Sequence, residues 1–199
     1  MKKILKRTGY LFMLCVILSY CIPKGGPIWI HKRSKYIKEN ISKNTYEIAV
    51  DFSKPSCEDR LFIYELDFDA DLVYSGVVLH GQGGNSTPSK PEFSNEIGSN
   101  CCSLGVFTLE GLVRMKNGME AIKLKGWSDT NSNAEVRGIY IHPCIMATLL
   151  PFNLPKVNFP LNNSSNGCFA VSYHTFEAIK YYMKLVNTGN DKMILYAYN

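Results

Sequence analysis

The feature that most constrains the fold of this chain is a series of short runs rich in β-branched and aromatic residues, beginning at Tyr46. Short runs of this composition, bounded by turn-forming residues, are typical of β-strands. The runs are Tyr46 to Phe52, Leu61 to Leu66, Leu72 to His80, Gly105 to Leu109, Ala121 to Lys125 and Gly138 to His142. Polar, turn-rich segments separate them, including a long loop from Gly81 to Asn100. The pattern predicts a mainly β domain.

One helix is predicted near the C-terminus. Apolar residues recur there at steps of three and four, as on the buried face of a helix, at Phe176, Ile179, Met183 and Val186. Gly189 is placed to adopt the left-handed conformation that ends many helices. A last strand is predicted from Met193 to Tyr198.

The N-terminal residues 1–22 have the pattern of an export signal. A basic stretch ends at Arg7, and the apolar stretch from Tyr10 to Ile22 is short for a membrane span. Residues 18–21 resemble a bacterial lipoprotein cleavage box with Cys21 as the lipidated residue, although Tyr20 is bulky where a small residue is expected. Lipidation, simple cleavage and a retained membrane anchor all remain open. We expect a basic tether at 23–44 and one domain at 45–199.

The distribution of charge argues against a nucleic-acid partner. The formal net charge is +5, but residues 45–199 contain only 12 basic side chains against 16 acidic ones. The excess positive charge therefore lies in the N-terminal segments, whereas a protein that binds a phosphate backbone needs basic residues on its folded domain. The sequence gives no indication of the oligomeric state.

A candidate nucleophile lies in the segment Ser165-Asn166-Gly167-Cys168. A thiol is a useful nucleophile when a base or a positive charge favours its thiolate, and His142, which ends an apolar run, is a candidate base. The backbone carbonyl of Pro143 can orient the imidazole. Glycine lets backbone amides approach a reacting carbonyl, so Gly167 and Cys168 are candidates for an oxyanion hole, with Asn166 or Ser165 shaping the turn.

Other assignments compete with this pair. His80 also ends a predicted strand and is a second candidate base, whereas His174 is expected at the surface near a helix start. Arg137 is a candidate for binding a substrate carboxylate, and an ordinary salt bridge is equally consistent with its position. A metal site at His142, Cys144 and Cys168 lacks a recognised ligand spacing, and a serine nucleophile lacks its usual glycine-flanked motif.

Cysteine count adds one constraint. Outside the predicted signal the chain has five cysteines, so complete pairing still leaves one free thiol. In an oxidising compartment a disulfide can form among Cys57, Cys101, Cys102 and Cys144, but the sequence does not set the connectivity. The adjacent Cys101 and Cys102 are expected to have no special role.

Several short motifs follow one another along the chain. They are DFSKPS at 51–56, RLFIY at 60–64, VVLHG at 77–81, FSN at 93–95, GS at 98–99, SLGVF at 103–107, RGIYIH at 137–142 and SNGCFAV at 165–171. Taken in order, these motifs resemble the murein L,D-transpeptidase catalytic domain family, which has the YkuD-type fold, and in particular an exported bacterial branch. The resemblance covers roughly residues 46–199.

The resemblance implies a mixed β-sandwich or barrel-like fold with one or two helices. It also implies a peptidoglycan enzyme in which Cys168 attacks the third residue of a stem tetrapeptide and expels D-alanine, with His142 as the base. An amine then resolves the thioester to give a 3–3 cross-link, or water resolves it to give carboxypeptidase activity. No metal or organic cofactor is implied. Arg137, His80 and Ser94 are expected to bind substrate.

The chain departs from the usual family pattern at Pro143, Ser164 and Phe169, and in a loop of 22 residues at 143–164. Two alternatives therefore stay open. One is a wall-binding or envelope structural protein that keeps the scaffold with weak or no turnover. The other is a thiol hydrolase or amidase that acts on a different peptide bond.

Overall fold

The structure is a computed structural model that describes residues 46–66, 70–87, 89–148, 165–186 and 191–199. The predicted signal segment with Cys21, the predicted tether, most of the loop at 143–164, and Gly189 lie outside these residues. No helix in the described ranges is long and apolar enough to span a membrane.

Within the described residues, nine strands form one sheet. They are β1 (Tyr46–Asp51), β2 (Leu61–Glu65), β3 (Asp71–Gly76), β4 (Val78–Leu79), β5 (Gly105–Arg114), β6 (Glu120–Gly126), β7 (Tyr140–Pro143), β8 (Phe169–Val171) and β9 (Ile194–Tyr198). Their order in the sheet is β3-β2-β1-β9-β5-β6-β7-β8-β4. The neighbours are antiparallel except for β1 with β9 and β7 with β8, which are parallel.

The two edges of this sheet are consecutive in the chain. β3 lies at one edge and β4 at the other, and only Val77 separates them. The sheet must therefore curl until its edges approach each other, which gives a nearly closed, barrel-like shape. Closure also explains why almost every strand can bury one face in a shared interior.

In the part of the chain that the structure describes, the helices are short apart from the last one. A 3-10 helix, Asp129–Asn131, precedes α1 (Ala134–Arg137), and α2 (Tyr173–Val186) follows β8. The apolar face of α2 is the predicted one, because Phe176, Ile179, Met183 and Val186 are all buried. The helix contacts β7, β1 and β3 and so covers one side of the sheet.

Aromatic rings fill the interior beside the parallel pair β7 and β8. Phe169 on β8 stacks on Phe52 at a centroid distance of 5.9 Å and meets Phe107 edge-on at 5.5 Å. All three side chains are fully buried. The residue that follows Cys168 is therefore one of the main anchors of the core, which restricts how far β8 can move.

The mainly β, barrel-like fold predicted from the sequence is confirmed, and so are α2 and the final strand. Two details were wrong. The run from Leu72 to His80 is not one strand, because the chain leaves one sheet edge after Gly76 and joins the other at Val78. β8 was not predicted, because three apolar residues carry no detectable periodicity.

A buried arginine holds the end of β4 in place. Arg60 has no exposed surface, and its guanidinium lies 5.0 Å from the ring centroid of Phe52. It donates hydrogen bonds to the carbonyls of Val78 (2.8 Å) and Lys54 (3.0 Å) and to Nδ1 of His80 (2.8 Å). Burial lowers the pKa of Arg60 to about 10, so it remains charged at neutral pH.

Candidate active site

The nucleophile turn, residues Ser165–Cys168, leads directly into β8. Gly167 has a φ of +106°, a conformation that residues with a side chain rarely adopt. The buried hydroxyl of Ser165 donates a 2.7 Å hydrogen bond to the carbonyl of Cys168, which closes the turn on itself. The turn therefore delivers Cys168 to the end of a buried strand in a defined orientation.

The segment after β4 holds the turn from one side. Gly81 forms a parallel bridge with Ser165, and the amide of Gln82 donates to the Ser165 carbonyl at 3.0 Å. The exposed side chain of Gln82 also donates to the side-chain carbonyl of Asn166 at 2.6 Å. A side chain at Gly81 would collide with the backbone of Asn100 and Gly167, so the close approach requires glycine there.

Two adjacent cysteines support the turn from the other side. The buried thiol of Cys102 accepts from the amide of Gly81 at 3.2 Å and donates to the carbonyl of Gly167 at 3.3 Å. A Cβ atom on Gly167 would lie 2.6 Å from the carbonyl oxygen of Cys101. The backbone of the turn is thus packed against the backbone of the Cys101–Cys102 segment.

His142 lies on β7, next to the turn. β7 and β8 are parallel, and His142 is paired with Ala170. Cys168 immediately precedes β8 and lies two residues before Ala170, so it is close to His142 in the register of the parallel pair. Each is only 8% exposed. The pairing of β7 with β8 therefore makes near neighbours in the sheet of two residues that are 26 positions apart in the chain.

The imidazole of His142 has a defined tautomer. Its Nδ1 lies 3.1 Å from the carbonyl oxygen of Pro143. Because a carbonyl can only accept, Nδ1 carries the hydrogen, and in the neutral ring Nε2 carries the lone pair. A histidine in this state is ready to accept a proton at Nε2, the nitrogen that a general base needs free.

Burial favours the neutral forms of both groups. It lowers the pKa of His142, an effect that the hydrogen bond to the Pro143 carbonyl opposes. It raises the pKa of Cys168, which a hydrogen bond from the Tyr140 backbone and the positive charge of Arg137 oppose. At neutral pH burial therefore favours a thiol at Cys168 and a neutral imidazole at His142.

Arg137 and Ser94, which the sequence singled out as substrate-binding residues, are in contact with each other. The Arg137 guanidinium donates to the backbone carbonyl of Ser94 at 2.7 Å. Ser94 is half-buried, and its hydroxyl accepts from the amide of Glu96 at 3.0 Å. The two residues therefore form one hydrogen-bonded unit near the nucleophile turn.

His80 has a different environment from His142. It has no exposed surface, and burial and Arg60 lower its pKa to about 4. Its Nε2 has no hydrogen bond of normal geometry to a described residue, although the Thr87 backbone opposes the lowering of its pKa. His174, in contrast, is exposed at the start of α2. Neither is placed on β7 beside Cys168.

Sequence reasoning overlooked Gln82, and its expectation that Cys102 has no special role was wrong, because both residues hold the nucleophile turn. Their contacts with it join residues that are far apart in sequence, so no local pattern indicated them. Cys57, Cys101, Cys102, Cys144 and Cys168 are all free thiols. Within the described ranges, no group of three or more His, Cys, Asp or Glu side chains is arranged to hold a metal ion.

A family model described as an L,D-transpeptidase catalytic domain matches residues 29–198 of this chain. The match begins inside the segment predicted as a tether. Among curated proteins, none matches the sequence.

Two solved structures match part of this chain. Bd1075 of Bdellovibrio bacteriovorus is 14% identical with a TM-score of 0.46, over 79% of this chain and 50% of that one. An L,D-transpeptidase (Yku) from Stackebrandtia nassauensis is 13% identical with a TM-score of 0.38, over 79% of this chain and 57% of that one. This chain therefore spans only about half the length of either.

The packing around Gly167 predicts that Gly167→Ala disrupts the site. The substitution combines a strained φ with a clash against the Cys101 carbonyl, so we expect it to destabilise the fold by roughly 2–4 kcal/mol and to slow alkylation of Cys168. Gly118→Ala is the matched control, because Gly118 also has a positive φ (+82°) but no atom within 4 Å of the added Cβ. Urea denaturation and site-resolved alkylation by iodoacetamide measure both effects. Equal effects of the two substitutions would show that the clash is unimportant.

Proposed function

We propose that this chain, which belongs to the L,D-transpeptidase catalytic domain family, is a cysteine acyltransferase that acts on peptidoglycan stem peptides. The observation that carries the proposal is the pairing of β7 with β8. The pairing sets His142, with its lone pair on Nε2, opposite Ala170, two residues after Cys168, and Cys168 ends a glycine-dependent turn.

In the proposed first step, the Cys168 sulfur attacks the carbonyl carbon of the third residue of a tetrapeptide stem. The thiol proton passes to Nε2 of His142, and the imidazolium then donates it to the nitrogen of the departing D-alanine. The C–N bond breaks, an S–C bond forms, and a thioester links the stem to the enzyme. The Pro143 carbonyl stabilises the imidazolium through its hydrogen bond to Nδ1.

In the second step, an acceptor resolves the thioester. An amine of a neighbouring stem gives a 3–3 cross-link, and water gives a trimmed tripeptide stem. In either case His142 takes the proton of the attacking group and returns it to the sulfur. The backbone amides of Gly167 and Cys168 are the proposed donors to the oxyanion, because the turn carries them beside the attacking sulfur.

The remaining turn residues have supporting roles in this proposal. Ser165 closes the turn through its bond to the Cys168 carbonyl, and Asn166 is held at the surface by Gln82. Ser94 remains a candidate for contact with the stem peptide. We assign His80 a structural role in place of substrate binding, since it is fully buried against Arg60.

A second candidate function is a wall-binding protein with little turnover. The observation that favours it is the burial of Cys168, which raises the pKa of the thiol and leaves 8% of the residue exposed. A thiol of this kind is inert unless His142 accepts its proton during attack. Whether the folded protein can be acylated separates the two functions.

The family is typically found in the cell envelope. We propose that this chain is exported through residues 1–22 and that Cys21 is a candidate lipid attachment site. The mass of the mature N-terminus from cells tests this. A diacylated N-terminal cysteine at 21 would support lipid attachment, cleavage without lipid would support simple export, and an uncleaved Met1 would contradict processing of the signal.

Acylation by a carbapenem tests the nucleophile. A β-lactam ring that opens on a cysteine leaves a covalent adduct, so we expect the intact mass of the protein to rise by one carbapenem. Cys168→Ala should abolish the adduct, and Cys144→Ala, which removes another partly exposed thiol, should retain it. Release of D-alanine from a stem tetrapeptide should follow the same pattern. A folded protein that forms no adduct would favour the wall-binding function.

The role of His142 predicts a specific pH profile. Because burial lowers the pKa of His142, the neutral base persists below pH 6.5, and the acid limb of carbapenem acylation should lie below that value. His142→Ala should slow acylation by about 100-fold or more, the usual contribution of a general base, and should remove this limb. His174→Ala, at the exposed start of α2, should change neither. Comparable losses in the two variants would rule out His142 as the base.

A further inference from the structure

Arg137 is the last residue of α1, and its guanidinium reaches under the nucleophile turn. One terminal nitrogen donates to the Ser94 carbonyl at 2.7 Å and the Ser103 hydroxyl at 2.5 Å. The other donates to the Ser99 hydroxyl at 3.4 Å and the Cys101 carbonyl at 2.5 Å. One side chain thus ties together both ends of the loop at 94–103.

All four acceptors of this arginine are neutral. None of the ion pairs between described residues involves Arg137. A guanidinium stays charged at any physiological pH, so its positive charge is bonded but not neutralised. A half-buried, uncompensated cation favours negative charge on any titratable group close to it.

The nucleophile turn also lies close to this cation. A Cβ atom on Gly167 would lie 2.9 Å from a terminal nitrogen of Arg137. The thiol of Cys168 lies 3.6 Å from the carbonyl oxygen of Gly138, the residue after Arg137. Gly167 must therefore be glycine partly because the guanidinium occupies the space beneath the turn.

We propose that Arg137 is a positioning residue that fastens the loop at 94–103 beneath the nucleophile turn and supplies the positive charge that favours the thiolate of Cys168. This inference rests on the proposed function for its catalytic meaning, although the effect on the thiol itself can be measured without any substrate. It replaces the role in binding a substrate carboxylate that the sequence suggested, because the terminal nitrogens of Arg137 already have protein acceptors.

Other titratable groups near Cys168 cannot supply this charge. Burial keeps His142 neutral at physiological pH. Burial also raises the pKa of Cys101 and raises that of Cys102 to about 12, so both thiols stay protonated. Among the described groups that face Cys168, Arg137 is the cation that opposes the effect of burial on its pKa. The titratable groups around Cys168 in the described residues are His142 and Tyr140 on β7, Cys101 and Cys102 in the loop at 94–103, and Arg137.

The test is the pH profile of Cys168 alkylation by iodoacetamide in the full-length protein, read at each cysteine by peptide mass spectrometry. Arg137→Gln should move the midpoint for Cys168 upward by about one pH unit, which is about a tenfold slower reaction at pH 7.5. Arg137→Lys, which keeps the charge, should restore most of the wild-type midpoint. The exposed Cys57 is the internal reference, and its profile should be the same in every variant.

Arg114→Gln is the matched control, because Arg114 is exposed at the far end of β5 and should leave the Cys168 midpoint unchanged. An unchanged midpoint in folded Arg137→Gln, or equal shifts in the Gln and Lys variants, would overturn the charge role. If Arg137→Gln does not fold, the salt dependence of Cys168 alkylation in the wild-type protein tests the charge role instead. Raising NaCl from about 0.05 to 1 M should then raise the Cys168 midpoint by screening the cation, and no change would overturn the proposal.

Steady-state kinetics provide a separate test of the role of Arg137. With a stem tetrapeptide, Arg137→Gln should lower kcat and leave KM within about twofold, because a positioning residue does not hold the substrate. A large rise in KM with unchanged kcat would instead assign Arg137 to substrate binding. Failure of carbapenem acylation in the wild type would refute the proposed function alone, since the alkylation profile does not depend on it.

Discussion

The close approach of three backbone segments at Gly167 is the constraint on which the site depends. The nucleophile turn lies between the segment after β4, which contributes Gly81, and the segment that contains Cys101. Neither contact leaves room for a Cβ atom, so two glycines are required where the segments meet. Once these backbones are in contact, the orientation of Cys168 follows from the direction of β8 and the stacking of Phe169 in the core.

Two arginine side chains, Arg60 and Arg137, stabilise this arrangement through hydrogen bonds to the adjoining segments. Arg60 binds the Val78 carbonyl and His80, and so holds the strand that leads to Gly81. Arg137 likewise donates to the carbonyl of Cys101 and so holds the loop that contains it. Each arginine donates to backbone carbonyls from two of its nitrogens, a fixed planar geometry that the single ammonium nitrogen of lysine does not reproduce. Both cations are surrounded mainly by neutral acceptors, which preserves their electrostatic influence.

The electrostatic state of the site follows from these same contacts. Burial favours a neutral imidazole and a neutral thiol, whereas the Tyr140 backbone and Arg137 favour the thiolate. A resting pair of this kind has little reactivity until a substrate carbonyl reaches the sulfur and His142 accepts the proton. The positive charge of Arg137 near the turn opposes the effect of burial on the pKa of Cys168.

The sequence by itself determined the fold class, the family, and the residue types that carry the proposed chemistry. These features are local patterns, formed by residues close together in the chain, so they can be recognised in the sequence alone. They are the short β-rich runs, one amphipathic helix and the ordered motifs from Asp51 to Val171. The curl of the sheet could not be predicted from the sequence. No local pattern shows that Gly76 ends one edge strand and Val78 begins the strand at the opposite edge. The supporting contacts of Gln82, Cys102 and Arg137 were also decided only by tertiary structure. They join residues between 21 and 84 positions apart in the chain, and packing, not neighbouring sequence, selects such partners.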